Sequence, residues 1–225
     1  MTKEYWLDRW IRDEIGFHQH MFNPYLLQYW QTLQLMPGSQ VFVPLCGKTH
    51  DMIWLRNQGH SVLGVELSTL AIKGFFEENG LPANHDSGEK FDCYTADLIQ
   101  ILHGDFFNLD KRDLEKISAV YDRASLVALP PETRQRYANH MLNILPPAAK
   151  ILLISFDYPQ SEMQGPPFAV SPDEVTALYQ NHAEIHLLAQ VDVLDENPRF
   201  QQRGLSRLQE SIFQLTLHRL NESRA

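Results

Sequence analysis

Three small groups of residues in this chain have the types and spacing to do chemistry. A tight turn, Pro44-Leu45-Cys46-Gly47, is followed about twenty residues later by the acid Glu66. An acid at that distance past a glycine turn is placed to accept hydrogen bonds from the two hydroxyls of a ribose. The second group, Asp105-Phe106, follows His103-Gly104. An acid next to an aromatic suits an adenine pocket, where the carboxylate takes the base edge and the ring packs on its face. A turn aspartate beside a core phenylalanine fits the same two residues. The third group is imidazole: His18 with His20, and His182 with His186. Both spacings suit metal ligands, but no cysteine or acid pair near His18 and His20 completes a site, and His182 and His186 straddle a helix end and a strand start with no glutamate at the position of a metalloprotease base, so no metal is expected. The chain has no Gly-x-Ser-x-Gly elbow and no catalytic cysteine context, so no acid–base or nucleophile pair is assigned.

The turn narrows the choice of ligand. A dinucleotide needs several glycines so that backbone amides can wrap a pyrophosphate, and this turn has only Gly47. Gly47-Lys48-Thr49 imitates the end of a phosphate-binding loop, but the early glycine of that motif would fall on Phe42. A nucleoside without phosphates fits better, and S-adenosylmethionine is the natural example. A plain strand–helix–strand unit whose Glu66 is merely a solvated strand end fits this stretch too.

The elements that must position these residues can be read from the apolar pattern. Val41 to Val43 and Ser61 to Val65 read as strands, with a helix through Met52 and Leu55 between them and Gly59 as its stop. That is the parallel crossover unit of an open α/β sheet, and ligands bind outside the carboxyl ends of such strands. Ahead of it, a helix carries Trp6, Trp10 and Ile15 and ends at Gly16. A second is opened by Asn23-Pro24 and closed by Pro37-Gly38. These two helices are expected to cover the ligand edge. After Glu66, Ser68 caps a helix, 81–90 is a polar loop, and Phe91 to Thr95 and Leu98 to Leu102 are short strands. Further strands are expected at Ile117 to Tyr121, Ile151 to Phe156, Glu184 to Val193 and Leu205 to Arg219, with helices opening at Pro131 and Ser171. The expectation is about seven strands in one three-layer α/β domain over 1–225, with 1–38 as covering helices.

Composition excludes other classes. A chain of 225 residues, 44% apolar and 21% charged, can bury one sizeable core and reads as a soluble globular protein. No run approaches about eighteen apolar residues, and MTKEYWLDRW lacks a signal-peptide core. Two cysteines make no disulfide framework, so the reducing cytoplasm is the expected location. A net charge of −9 argues against nucleic acid or an anionic membrane as partner. No coiled-coil pattern is present, and a monomer is expected.

The segments VFVPLCGK, QGHSVLGVELS, YDRASLVALP and GPPF, in that order, resemble the thiopurine S-methyltransferase family. The opening Trp6-x-x-x-Trp10 and Gly16-Phe17-His18 resemble it as well. The likeness runs from about Trp6 to Leu217. It implies a class I methyltransferase-like fold, with a doubly wound, seven-stranded, mostly parallel sheet. It implies S-adenosylmethionine as cofactor and methyl transfer to the sulfur of aromatic and heterocyclic thiols. Carried over by position, the resemblance implies cofactor contacts at Trp10, Leu45, Glu66, Asp105, Phe106 and Arg123. It implies substrate contacts at Phe17, Arg123 and Arg199. Similar bacterial members are linked to selenium and tellurium compounds, so metalloid detoxification is a second expectation for the acceptor.

Such a reaction explains the missing nucleophile–base pair. An aromatic thiol is acidic enough to supply its own thiolate near neutral pH, and alignment can contribute about 7–11 kcal/mol. Two rivals are a methyltransferase with a non-thiol acceptor and a non-catalytic S-adenosylmethionine sensor. An NAD-dependent oxidoreductase is disfavoured by the single glycine.

Overall fold

The computed structural model describes residues 2–219, so both ends of the expected 1–225 domain, Met1 and 220–225, lie outside the described residues. The chain divides into two compact units, between Tyr121 and Asp122.

In the first unit, α1 (Lys3–Ile11) begins where the Thr2 hydroxyl accepts the Tyr5 amide. It stops at Arg12, short of the expected Gly16. Asp13 takes a left-handed φ of 55°, and Arg9 reaches forward to the Glu14 carboxylate. The helix α2 (Pro24–Tyr29) opens as expected: the Asn23 side chain accepts the Tyr25 and Leu26 amides, and Pro24 occupies the first turn, where no amide donor is needed. A 3-10 turn, Trp30–Leu33, continues it and buries Trp30 and Leu33.

The crossover unit follows: β1 (Gln40–Val43), α3 (Asp51–Asn57) and β2 (Ser61–Glu66). Val41, Phe42, Val62 and Val65 are all buried, as strands covered on both faces require. Then come α4 (Thr69–Glu78), capped by the Ser68 hydroxyl on the Ala71 amide, β3 (Asn84–Asp86), β4 (Asp92–Ala96), β5 (Ile99–His103) and β6 (Ile117–Arg123). Strand order from the edge inward is β3-β4-β5-β2-β1-β6. The pairs β5–β2, β2–β1 and β1–β6 are parallel, and β3–β4 and β4–β5 are antiparallel. β3 lies inside the stretch expected as a loop. Its three residues are exposed and polar, so no apolar alternation announces it.

The second unit takes in the end of β6, then α5 (Ser125–Ala128), α6 (Pro131–Ile144), β7 (Lys150–Asp157), α7 (Pro172–Tyr179), β8 (Ala183–Asp192), α8 (Pro198–Gln202) and β9 (Gln209–Leu217). Here β9 lies between β7 and β8 and is antiparallel to both. β9 begins at Gln209 rather than Leu205. The expected loop holds α8, and Phe200, Leu205 and Leu208 share a small buried cluster with Tyr158 and Met163. The described residues thus form nine strands, not seven: an open α/β fold whose parallel strands carry antiparallel extensions.

Candidate active site

The carboxyl ends of β1 and β2 build the first part of the site. The turn after β1 is shaped by two residues in the left-handed region, Leu45 at φ 46° and Gly47 at φ 52°. Cys46 between them donates its amide to Val65 O, so the turn stays tied to β2. Glu66, the last residue of β2, then clamps it. One carboxylate oxygen accepts the Gly47 amide at 2.9 Å, and the other accepts the Ser68 amide at 2.7 Å. The carboxyl group is buried, only 8% exposed. Burial pushes its pKa up, while the Ser68 and Gly47 amides pull it back. The Leu67 amide adds to these contacts, and the carboxylate remains an acceptor of the kind that ribose hydroxyls require. The residues present therefore fit a nucleoside cofactor.

Trp10 stands over the same turn. A Cβ added to Gly47 would lie 3.2 Å from the Trp10 ring, so the glycine gives the indole room to approach. Phe17 meets Trp10 edge-on at 5.6 Å between centroids and Trp6 at 6.0 Å. Both tryptophans are half-buried, and Phe17 is 37% exposed, so this aromatic group is not sealed in the core. The structure thus gathers Trp10, Phe17, Leu45 and Glu66.

Asp105 and Phe106 come just after β5, whose following Gly104 amide donates to Glu66 O. Asp105 caps a 3-10 turn by accepting the Phe107 amide, and Lys3 of α1 forms an ion pair with it at 2.7 Å. Phe106 is 2% exposed and stacks on Phe42 at 6.5 Å. Its ring is part of the core beneath the strand end.

Arg123 and Arg199 belong to the second unit. Arg123 is the last residue of β6, followed by Ala124 at φ 66°. Arg199 lies in α8 with its guanidinium 4.9 Å from the Phe200 ring centroid. Asp122, the neighbour of Arg123, is buried and accepts the Tyr137 hydroxyl at 2.9 Å. Burial pushes its pKa up to about 6, against the hydrogen bonds from Tyr137 and Ser125.

Cys46 is a structural thiol. It is 5% exposed, its Sγ fills the space that a side chain on Gly64 would need, and burial raises its pKa well above the ordinary range. The sequence reading missed the double amide clamp by Glu66 and the Lys3–Asp105 pair. The clamp was foreshadowed by Ser68, two residues past an acid at a strand end. No local pattern announces the pair.

Comparison with known proteins places this geometry in a family. The profile of Thiopurine S-methyltransferase (TPMT) matches residues 1–218. A thiopurine S-methyltransferase of Nitrosospira multiformis is 66% identical over 96% of this chain and 98% of its own length. One of Azotobacter vinelandii is 49% identical over 96% and 99%. Among solved structures, the Burkholderia thailandensis 1,6-didemethyltoxoflavin-N1-methyltransferase with bound S-adenosylhomocysteine aligns at a TM-score of 0.65. It covers 96% of this chain and 87% of that one at 13% identity, a likeness of fold. With the strand-end clamp, the aromatic cover and a match over nearly its whole length, the chain belongs to the thiopurine S-methyltransferase family.

Proposed function

We propose that this protein transfers the methyl group of S-adenosylmethionine to the sulfur of aromatic and heterocyclic thiols, thiopurines among them. The observation that carries the reading is the Glu66 carboxylate, which holds the turn after β1 from the carboxyl end of β2. The full-length family match supports it. When bound, the cofactor supplies a methyl carbon already activated by a positive sulfur.

The chain's own residues then have five tasks. Glu66 accepts the ribose hydroxyls, and the Leu45 turn shapes the backbone beside them. Asp105 takes the adenine edge, with Phe106 as a rigid floor rather than an exposed stacking face. Trp10 and Phe17 offer aromatic faces to the positive charge, each contact contributing roughly 0.5–2 kcal/mol, and Phe17 also bounds the acceptor. Arg123 contacts the cofactor and draws in the anionic thiolate, and Arg199 supplies a second cation for the acceptor. No general base is required, because the acceptor arrives as thiolate and the site's work is alignment and exclusion of water.

Selenium and tellurium nucleophiles share the soft, polarisable character of a thiolate, so metalloid compounds fall within the acceptor range we propose. We read the whole chain as one catalytic domain acting as a monomer in the cytoplasm. Among the described residues no helix is long and apolar enough to cross a membrane, and both cysteines are unpaired thiols.

The test is a panel: purified protein with labelled S-adenosylmethionine and aromatic thiols, selenols, phenols, amines, selenite and tellurite. Transfer confined to sulfur, selenium and tellurium acceptors is expected. Cofactor binding with no transfer to any acceptor would favour the sensor reading instead.

A further inference from the structure

His18 and His20 have metal-ligand spacing but no third donor near them in sequence. The fold of the first unit brings one. His18 lies in the segment between α1 and α2, His50 just ahead of α3, and Glu78 ends α4. One ligand atom from each lies within 4.8 Å of the other two. The rings of His18 and His50 are 5.4 Å apart, and that of His20 is 5.2 Å from His18.

Two further observations point to a cation. First, His50 is oriented as metal-binding imidazoles are. Asn79 donates its side-chain amide to Phe75 O at 2.7 Å, which turns its carbonyl oxygen toward His50 Nδ1 at 3.1 Å. Nδ1 is therefore the protonated nitrogen, and Nε2 keeps the lone pair. Second, a cation already sits beside the acid: Lys48 Nζ is 2.6 Å from Glu78 Oε1.

We propose that His18, His50 and Glu78 form a binding site for a divalent transition-metal ion of the zinc type, with His20 as an additional imidazole donor. Imidazole-rich donor sets favour zinc, nickel or copper over magnesium and calcium, which prefer oxygen. A zinc ion with ligands at about 2.1 Å holds them roughly 3.4 Å apart, so donors within 4.8 Å of one another must close by up to about 1.4 Å. His18 on a connecting segment and exposed Glu78 have the freedom to do so. The ion displaces the Lys48 ammonium from Glu78. It also ties the segment carrying Phe17, and through it Trp10, to the helices that flank the cofactor turn.

The experiment titrates chelator-treated, full-length protein with cobalt(II) and with zinc(II), followed by visible d–d absorption and calorimetry. One ion per chain is expected. His18→Ala and His50→Ala each weaken binding at least tenfold, while His186→Ala leaves it unchanged. Lys48→Met tightens binding severalfold, because the competing ammonium is gone. Zinc slows hydrogen exchange in residues 13–22. Should His50→Ala fail to fold, cobalt-shifted histidine ring protons of the unaltered protein identify the ligands directly. Uptake of no stoichiometric ion overturns the proposal. So does affinity indifferent to His18 and His50, or cobalt shifts on other histidines.

Discussion

Glu66→Ala separates the clamp that this carboxylate makes on the turn from the ribose contact we propose for it. In the structure each oxygen accepts one backbone amide, from Gly47 and Ser68, inside a buried strand end. Hydrogen bonds to a charged group contribute about 1.5–3 kcal/mol each, so deletion removes roughly 3–6 kcal/mol of gross interaction. It also relieves the burial of a charge, a cost of several kcal/mol that the raised carboxyl pKa reflects. The net loss of stability is therefore about 1–3 kcal/mol, a weakened turn in a folded protein. Binding has no such offset. Two ribose hydroxyls lose a charged acceptor, and the same 1.5–3 kcal/mol per bond predicts an affinity drop of roughly a hundred- to ten-thousand-fold. Urea unfolding reads the first quantity, and calorimetry with S-adenosylhomocysteine on the folded variant reads the second. In the unaltered protein, affinity falls as pH drops through a midpoint above the ordinary glutamate value of 4.5, since protonation removes the charged acceptor. Unchanged affinity in folded Glu66→Ala refutes the ribose role and leaves Glu66 as a clamp for the turn alone.

Three other perturbations follow from the geometry. Asp122 has its pKa raised from 3.8 to about 6, so the stability it contributes is full below pH 3.8 and is lost as pH rises through about 6. That gap corresponds to about 3 kcal/mol; urea unfolding of Asp122→Asn against the parent should show their difference change by this amount between about pH 3 and about pH 8, and a constant difference contradicts it. Arg134 is 1% exposed, donates to Leu126 O at 3.0 Å and Leu129 O at 3.1 Å, and pairs with Glu174. Arg134→Ala should cost about 3–5 kcal/mol in urea unfolding, with little recovered by Lys, which lacks the planar fork. Arg123→Ala should lower turnover roughly tenfold to a hundredfold, the loss of one charge-assisted contact, with a small change in melting temperature. A collapsed melting temperature with normal activity in the folded fraction would make the arginine structural.

Where local chemistry determines structure, the sequence was readable. Asn23, Ser68 and Ser171 cap helices through their own side chains, and each was recognisable beside an apolar run. The crossover unit from Gln40 to Glu66 was equally plain, because buried parallel strands are continuous apolar runs. What failed lacked a local signal. β3 has no buried residue, so only its pairing with β4 makes it a strand. The end of α1 is decided by Asp13 and the Arg9–Glu14 pair rather than by Gly16. Phe200, Leu205 and Leu208 looked like strand or loop residues, yet they gather with Tyr158 and Met163, more than thirty residues away in sequence. At the site, Glu66 was placed by its spacing from Gly47, but its grip on Gly47 and Ser68 is a tertiary fact. The gathering of His18, His50 and Glu78 is another.

The turn after β1 shows why the nucleoside site we propose there needs so few glycines. A loop that wraps phosphates uses glycine freedom to point many amides at one anion. Here a single amide, that of Gly47, is aimed by a protein carboxylate and not by a ligand. The conformation is held in part against local preference: Leu45 sits at φ 46°, where a Cβ normally disfavours the backbone by about 1–2 kcal/mol. That cost is offset by the Cys46 amide on Val65 O and the Gly47 amide on Glu66. The glycine at 47 answers two demands, its own left-handed φ of 52° and the approach of Trp10. An acid at the end of β2 thus shapes the turn, and the glycine makes room for Trp10. Replacing Gly47 by alanine should therefore strain the turn and disturb Trp10 together: the added Cβ disfavours φ 52° by about 1–2 kcal/mol and presses on the indole from 3.2 Å, so tryptophan fluorescence should change at a denaturant concentration where the sheet is intact.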